Sequence, residues 1–284
     1  MKTFKNIIVG IDFTPSCRNA LRGAARRASL DQAAVSAIHV MDEFLAHELK
    51  KALSTDEAGV RAEWQDRLKK FLAESDVGAA HVAAEVRIGH PFAELMDACK
   101  SHSADLLIMG AKGSKGGEHR IGAIAAKCVR KASIDVMIVR EDAQGPFRHV
   151  VACVDFSENS AKAVQAALHI AAQDKADLDC LYVYQSALAL SLKLWQADLD
   201  KFVEPLVRSR GDVKVRTMVV ERVNIRETII NHVTETHADI VVLGTRGKTG
   251  LRELLIGTTA EKIVQHAPCS ILAVKPDEVS AAAG

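Results

Sequence analysis

Short apolar runs alternate with longer stretches of helical periodicity along the whole chain. In the first half, the runs predict β-strands near residues 5–11, 35–41, 80–87, 105–109 and 135–139. The stretches between them predict helices near residues 15–31, 50–75, 91–102 and 122–132. Residues 106–109 and 240–243 are continuously apolar, as parallel strands buried on both faces are. This alternation predicts an α/β fold with an open parallel sheet between layers of helices.

The second half repeats the pattern of the first. It predicts strands near residues 148–154, 178–184, 212–220, 239–243 and 270–274, and helices near residues 158–173, 192–209, 224–236 and 258–266. Matching segments lie in the same order in both halves: 6–14 with 149–157, 104–113 with 238–247, 121–122 with 256–257, and 136–139 with 271–274. Each copy is too long for a solenoid repeat. The sequence therefore predicts two tandem domains, residues 1–143 and 146–278, joined by a linker within residues 141–147.

Composition narrows the class of protein. Among the 284 residues, 37 Lys and Arg balance 36 Asp and Glu, so the net charge of +1 disfavours a nucleic-acid or membrane-surface partner. Hydrophobic residues make up 48% and aromatic residues 4%, which predicts a core of Val, Ile, Leu and Ala. No apolar run approaches the roughly 18 residues of a membrane span, and residues 1–12 do not resemble a signal peptide. Six cysteines without a C-x-x-C pair favour reduced, mostly buried thiols and a cytoplasmic location.

The most informative motif follows the fourth predicted strand of the second copy. Gly244 and Gly247 are followed, after nine residues, by Gly257-Thr258-Thr259 at the start of a predicted helix. Gly244 allows the backbone to turn sharply and to approach a ligand closely. A helix start presents free N–H groups and about half a positive charge, and a threonine hydroxyl adds a donor for phosphate. The alternative is a glycine turn followed by a threonine that only caps the helix.

An aspartate ends the first predicted strand of each copy, Asp12 in the first and Asp155 in the second. One interpretation is that each aspartate caps the following helix, helped by Thr14-Pro15 or by Ser157. The other is that each carboxylate faces the crevice beyond the sheet, where it accepts hydrogen bonds from a ribose or a base. The two interpretations are compatible through different oxygen atoms.

Together these features resemble the ATP-binding signature of the universal stress protein family, and the resemblance covers nearly the whole chain in two copies. It implies an adenine-nucleotide-hydrolase-like, Rossmann-like domain per copy, with a five-stranded parallel sheet of order 3-2-1-4-5. It also implies that the last strands of the two domains pair, which would form within one chain the dimer that single-domain members form between chains. A homodimer of the tandem chain is compatible with that arrangement.

The resemblance also implies a nucleotide site in the second copy. Asp155 and Val183 would lie at the adenine and ribose, and Leu243, Gly244 and Gly247 at the ribose and first phosphate. Gly257, Thr258 and Thr259 would hold the remaining phosphates. Arg246 has no role in the signature but places a positive charge in the loop.

The first copy departs from the signature. Gly110 and Gly113 are present, but only eight residues separate Gly113 from Gly122, and Ala123 replaces the threonine that donates to phosphate. Asp12 and Val40 do occupy the expected positions, Gly89 and Pro91 open the helix after the third strand, and Lys112, Lys115 and Arg120 keep the loop basic. The first domain is therefore expected to bind nucleotide weakly, to hold a different ligand, or to act as a scaffold.

The resulting expectation is a cytoplasmic stress-response protein that binds ATP, with or without Mg²⁺, mainly in its second domain as a sensed ligand. The sequence identifies no catalytic group and no metal site. Histidines such as His39, His90 and His102 are dispersed, which is typical of surface or satisfied core residues. Two alternatives stay open: a slow ATP hydrolase or nucleotidyl transferase on the same fold, and a module that binds a non-nucleotide ligand such as a lipid or a metal.

Overall fold

The computed structural model describes residues 3–78, 80–111, 121–143, 145–185, 192–208, 212–247 and 256–277. The chain divides into two compact units, one of residues 3–145 and one that begins at residue 146. Both units are built from alternating strands and helices, as the apolar pattern predicts.

The first unit is a parallel α/β sheet. Its elements are β1 (Asn6–Ile11), α1 (Pro15–Asp31), β2 (Ala34–Met41), α2 (Glu43–Ala52), α3 (Glu57–Ala73), β3 (Val82–Ile88), α4 (Pro91–Ser101), β4 (Leu106–Gly110), α5 (Ala123–Lys131) and β5 (Asp135–Val139). The strand order is β3-β2-β1-β4-β5, and neighbouring strands are parallel throughout. The strand order 3-2-1-4-5 is therefore confirmed for this unit.

The second unit repeats this topology. Its elements are β6 (His149–Val154), α6 (Glu158–Asp174), β7 (Asp177–Tyr184), α7 (Leu192–Val207), β8 (Val215–Glu221), α8 (Ile225–Glu235), β9 (Ile240–Gly244), α9 (Thr258–His266) and β10 (Ser270–Val274). The order is β8-β7-β6-β9-β10, again with parallel neighbours. In both units the first and fourth strands are adjacent, so the carboxyl ends of these strands meet at one edge of the sheet.

The core of each unit consists of aliphatic side chains on central strands and on the helix that follows the first strand. Leu106, Leu107 and Ile108 of β4 are fully buried, and Ala20 and Ala24 of α1 are buried against the sheet. Small residues on α1 let the helix approach the strands closely, and burial of the branched side chains supplies the main stabilising free energy of the unit.

One predicted helix is wrong in its extent. The predicted helix of residues 50–75 is two helices, α2 and α3, and α2 begins well before residue 50. Asp42 caps α2 by accepting a hydrogen bond from the backbone of Phe44, and Asp56 caps α3 through Gly59. Between the helices, Ser54 has a left-handed backbone with φ of 50°, which ends α2. The aspartate caps therefore outweigh the helical periodicity that continues across the break.

All six cysteines are free, and all except Cys153 are buried. Burial raises the pKa of the Cys17, Cys99 and Cys180 thiols to about 12, so they are protonated and unreactive at neutral pH. Within the described residues, none of the helices combines the length and the apolar character that crossing a bilayer requires.

Candidate functional site

The turn that follows the first strand is built in the same way in both units. In the second unit, the Oδ1 atom of Asp155 accepts hydrogen bonds from the backbone N–H of Ser157 at 3.1 Å and from its hydroxyl at 2.6 Å. The Ser157 hydroxyl oxygen then accepts the N–H of Ser160 at 3.1 Å and caps α6. Asp12 and Thr14 repeat the arrangement, with distances of 3.1 and 2.6 Å. Neither aspartate is itself the helix cap, so that interpretation is wrong, and each instead positions the residue that caps the helix.

A phenylalanine follows each of these aspartates in a left-handed conformation. The φ angle is 63° at Phe13 and 62° at Phe156. Bulky side chains rarely adopt this conformation, and such strain persists only where surrounding packing holds it. The Phe156 ring is held by Tyr182, with centroids 4.6 Å apart, and by Phe202 at 5.4 Å. The strained turn keeps the neighbouring aspartate at the carboxyl edge of the sheet.

Gly244 has to be a glycine because α6 lies directly against it. A Cβ atom at this position would lie 2.8 Å from Nδ2 and 3.2 Å from the backbone carbonyl carbon of Asn159. The same amide nitrogen donates to the carbonyl oxygens of Arg246 at 3.3 Å and of Val274 at 3.2 Å. Asn159, which the sequence did not single out, therefore ties the loop after β9 to the end of β10.

Gly247 brings this loop against the carboxylate of the first strand. A Cβ atom on Gly247 would lie 2.5 Å from Oδ2 of Asp155, so only glycine allows the present approach. Gly244 and Gly247 thus have distinct steric roles, one towards α6 and the other towards Asp155. The structure therefore brings the glycine motif and the strand-end aspartate together, as the sequence interpretation requires.

The start of α9 lies next to the same loop. The backbone N–H of Gly257 donates to the carbonyl oxygen of Thr245 at 2.7 Å, and Gly257 is the N-cap residue of the helix. No side chain among the described residues caps this helix, and Thr258 and Thr259 are exposed at its first two positions. The interpretation of a threonine N-cap is therefore wrong, because the cap is the glycine and both hydroxyls lie beyond it.

Two of the predicted site residues, Val183 and Leu243, have buried side chains. The Val183 and Leu243 side chains are 6% and 2% exposed. Val183 is one residue beyond Tyr182, which pairs with Val154 at the end of β6, so Val183 lies level with Asp155.

Burial and, secondarily, the Asp155 carboxylate raise the pKa of the Tyr182 phenol, which stays protonated at neutral pH. The carbonyl oxygen of Arg246 accepts a hydrogen bond from the Asn159 side chain, and this bond fixes the backbone of Arg246.

The first unit carries an open cleft at the corresponding edge of its sheet. The cleft has a volume of about 630 Å³, and its lining includes Asp12, Val40, Gly110 and Gly122. The structure thus brings together four of the residues predicted for this domain. Gly113, along with Lys112, Lys115 and Arg120, lies outside the described residues. Gly122 caps α5 without a side-chain hydrogen bond, and Ala123 occupies the first helical position.

Aromatic and histidine side chains close one side of this cleft, and sequence reasoning missed them. His39 stacks on Trp64 with centroids 4.9 Å apart and planes at 5°, and Phe13 lies 4.7 Å from the His39 ring. The Arg67 guanidinium lies over both Trp64 and Phe13, at 4.5 and 4.6 Å. The repeated Asp-Phe dipeptide was the one signal in the sequence, because Phe13 and Phe156 each anchor such a cluster.

A metal centre has no support in the part of the chain that the structure describes. There, the His, Cys, Asp and Glu side chains form no group of three or more that could hold a metal ion. Several histidines are instead bound to carboxylates. The Nε2 atoms of His149 and His232 lie 2.8 and 3.3 Å from Oδ2 of Asp179. The Nε2 atom of His102 lies 2.8 Å from Oε2 of Glu85.

The fold, its repetition and the loops at the strand ends define a tandem α/β protein with one candidate ligand site in each unit. Comparison with known proteins shows the family to which it belongs. The model of the universal stress protein family matches residues 3–140 and again residues 146–275. The chain belongs to this family, as the motif predicts.

Individual relatives agree with the tandem organisation. The chain is 26% identical over 289 residues to a universal stress protein of Mycobacterium tuberculosis, with 95% of this chain and 96% of the relative covered. It is 30% identical over 142 residues to a universal stress protein of Methanocaldococcus jannaschii, covering 45% of this chain and 82% of the relative.

Solved structures show the same fold. A universal stress protein from Archaeoglobus fulgidus matches with a TM-score of 0.69 at 16% identity, covering 96% of this chain and 97% of the other. A protein described as a putative universal stress protein from Pseudomonas aeruginosa matches with a TM-score of 0.69 at 18% identity, covering 96% and 94%.

Proposed function

We propose that this protein is a cytoplasmic regulator of the stress response that binds ATP in its second unit as a sensed ligand. Family membership supports a role in the stress response. The observation that carries the assignment of ATP is the start of α9, where a glycine cap is followed by two exposed threonines.

The phosphates bind at this helix start. A helix N-terminus without a side-chain cap offers N–H groups and a partial positive charge to an anion. The Thr258 hydroxyl donates one further hydrogen bond to a phosphate oxygen. Among the described residues, the nearest neighbour of a Cβ atom on Gly257 would be Thr245 O at 3.7 Å, so these residues leave room for a ligand in front of the helix.

The nucleoside binds between the aspartate turn and the glycine loop. The Oδ1 atom of Asp155 accepts from Ser157, and its Oδ2 atom lies against Gly247, so this carboxylate stands where the glycine loop meets the first strand and is the group to which a ribose hydroxyl donates. Backbone groups of Val183 and Leu243 contact the adenine and ribose, because their side chains are buried. Gly244 and Arg246 shape the loop over the first phosphate, and Mg²⁺, when bound, neutralises the phosphate oxygens.

The first unit binds ATP more weakly or not at all. Its helix start has the same glycine cap, but Ala123 offers no hydroxyl. A hydrogen bond to a charged group contributes about 1.5–3 kcal/mol. Loss of that single donor weakens binding by about ten- to a hundredfold.

Three variants of the full chain test the phosphate site by ATP titration. Thr258→Ala should weaken ATP binding about ten- to a hundredfold while leaving stability within about 0.5 kcal/mol, since alanine is a good helix former and Thr258 is not the cap. Gly257→Val should abolish binding, because its methyl groups fill the space of the phosphates. Thr259→Ala is the matched control and should bind nearly as the parent does, since its backbone N–H remains.

Thermal melts of the same proteins separate binding from folding. Unchanged ATP affinity in a folded Thr258→Ala variant would contradict the assignment of its hydroxyl. Incubation with labelled ATP then distinguishes a sensor from an enzyme. Stoichiometric retention of intact ATP supports a sensed ligand, and rapid formation of ADP or of a nucleotidyl product supports the hydrolase or transferase alternative.

A further inference from the structure

His149, at the start of β6, lies between two groups that can only accept hydrogen bonds. Its Nε2 atom lies 2.8 Å from Oδ2 of Asp179, and its Nδ1 atom lies 3.2 Å from the carbonyl oxygen of Thr236. Asp179 is fully buried on β7, and Thr236 is the C-cap residue of α8. One imidazole ring therefore joins the end of a helix to a buried carboxylate of the sheet.

The two contacts require His149 to carry a proton on each ring nitrogen. A carbonyl oxygen offers lone pairs and no proton. Burial favours the neutral acid of Asp179, but hydrogen bonds from two histidines and from Arg216 outweigh it, hold the pKa of this carboxyl well below 3.8 and keep it ionised. A neutral imidazole has one N–H and one lone pair, so it could donate to only one of the two acceptors. Both hydrogen bonds form only with the imidazolium.

The surroundings of His149 favour the same protonation state. The charged and titratable groups on the neighbouring elements are Asp177 and Asp179 on β7, Lys214 before β8, Arg216 on β8, His232 on α8 and Asp239 before β9. The hydrogen bond to Asp179 raises the pKa of His149, and burial and the Arg216 guanidinium oppose it without outweighing it. The ring also lies at the C-terminal end of α8, where the helix dipole favours a cation. The His149 side chain is 13% exposed, so water can exchange protons with it.

The first unit makes the equivalent connection without a titratable group. Asn6 occupies the position of His149 in the repeat, at the start of β1. Its Nδ2 atom donates to the carbonyl oxygen of Ser103, just beyond α4, at 3.1 Å. An amide keeps its protons at neutral and alkaline pH, whereas an imidazolium loses one. The two units therefore differ in whether the connection between strand and helix depends on protonation.

Loss of a proton from His149 removes one of its two hydrogen bonds. The pKa of His149 in the folded protein is raised above its ordinary value of 6.5. Its stabilising effect is therefore complete below pH 6.5 and is lost as the pH rises through the folded-state pKa. Thr236 offers the weaker acceptor, a neutral oxygen at 3.2 Å, whereas the Asp179 oxygen is charged and lies at 2.8 Å. The neutral ring keeps its proton towards Asp179, so the contact with α8 is the one that is lost.

We propose that His149 is a pH-sensitive switch in the second unit: its imidazolium holds the C-terminal end of α8 against the sheet, and its deprotonation at alkaline pH releases that end. Ile229 and Val233 of α8 are buried, so release exposes an apolar face of this helix. The switch lies at the start of β6, at the opposite edge of the sheet from the proposed ATP site, and does not depend on that site.

Nuclear magnetic resonance of the imidazole nitrogens measures the protonation of His149 in the full-length protein. Its signals are those missing from the spectrum of His149→Asn. They should titrate with a pKa above 6.5, with both nitrogens protonated at pH 6. A pKa at or below 6.5 would overturn the proposal.

Hydrogen exchange of backbone amides measures the release of α8. After correction for the intrinsic effect of pH on exchange, the protection of residues 232–236 should fall about tenfold between pH 6 and pH 9, because a hydrogen bond from a charged group is lost. Residues 98–102 of the first unit are the internal control. Their protection should change by less than about threefold, since the Asn6 amide holds the end of α4 at either pH.

Two variants show which histidine is responsible. His149→Asn reproduces the amide of Asn6 and should abolish the pH response of α8. His232→Gln keeps a donor near the position of Nε2 and should retain the response of the parent. If His149→Asn does not fold, His149→Gln, which keeps a donor towards Asp179, takes its place.

A fall in protection that is confined to α8, absent from His149→Asn and present in His232→Gln supports the switch. An equal fall in His149→Asn and the parent, a response lost in His232→Gln, or a parallel fall in α4 and α8 overturns it. Failure of the ATP site would instead appear in the Thr258→Ala and Gly257→Val titrations and would leave the pH response of α8 unchanged.

Discussion

Gly110 offers the clearest test of how the glycine loop is built, because a single methyl group has no room there. It lies at the end of β4, and its φ lies outside the left-handed region, so its backbone suits any residue. The restriction is purely steric. A Cβ atom would lie 2.5 Å from the hydroxyl oxygen of Ser16, 2.7 Å from the backbone nitrogen of Cys17 and 2.9 Å from the carbonyl carbon of Ser16.

The size of the effect follows from which atoms must move. The Ser16 hydroxyl can rotate away, but the other two atoms belong to the first turn of α1. That turn is fixed by the Thr14 cap and by the buried Cys17 side chain. Overpacking of this kind costs about 1–3 kcal/mol, and clashes with two backbone atoms place Gly110→Ala at about 3 kcal/mol of lost stability.

Gly23→Ala is the matched control in the same unit. Gly23 lies within α1, and a Cβ atom there would meet no atom of the described residues within 4 Å. Replacing glycine by alanine inside a helix should stabilise the protein by about 0.5–1 kcal/mol. Denaturant unfolding followed by Trp64 fluorescence in a Trp195→Phe background measures both variants. A Gly110→Ala variant within about 1 kcal/mol of the parent would refute the steric account of the loop.

Three further predictions concern stoichiometry, pH and the sheet edges. Calorimetry should find one strong ATP site per chain, and two equal sites would show that Ala123 has little effect. Burial favours the neutral acid of Asp179, but hydrogen bonds from His149, His232 and Arg216 outweigh it and hold the pKa of that carboxyl well below 3.8. Asp179→Asn should therefore lower the free energy of unfolding by about 3 kcal/mol at pH 7. The difference between variant and parent should shrink as the pH falls below 3.8, because the carboxylate of the parent is then protonated, and a difference that stays constant with pH would contradict the ion pairs. The apolar end strands β5 and β10 are predicted to cover each other, so their amides should exchange as slowly as those of β1 and β6 in hydrogen-exchange experiments, whereas fast exchange would indicate bare edges.

Much of the sheet was predictable because its signal is local. Runs such as residues 106–109 are apolar without interruption, and the repeat doubles the evidence for each strand. The repeat also pointed to Asp12, Asp155 and Gly244, since the same residues recur at the same strand ends. The helix break near Asp56 also has a local signal, an aspartate cap, but the apolar periodicity that continues across it predicts a single helix.

The parts that escaped prediction depend on contacts between distant segments. Nothing in the sequence indicates that Trp64 and Phe13 enclose His39, and its isolated position predicts a surface or satisfied core residue. The structure shows it buried, with one ring nitrogen bonded to Ile11. Similarly, only the approach of α6 explains Gly244, through Asn159, a residue with no motif of its own.

Binding of ATP in the second unit can be tested by identifying the nucleotide that the purified protein carries. Full-length protein is denatured immediately after purification, and the released small molecules are identified by mass and counted per chain. We expect intact ATP at up to one molecule per chain in the parent and none in Gly257→Val. Release of equal ATP from both proteins would contradict the assignment of the site to the start of α9.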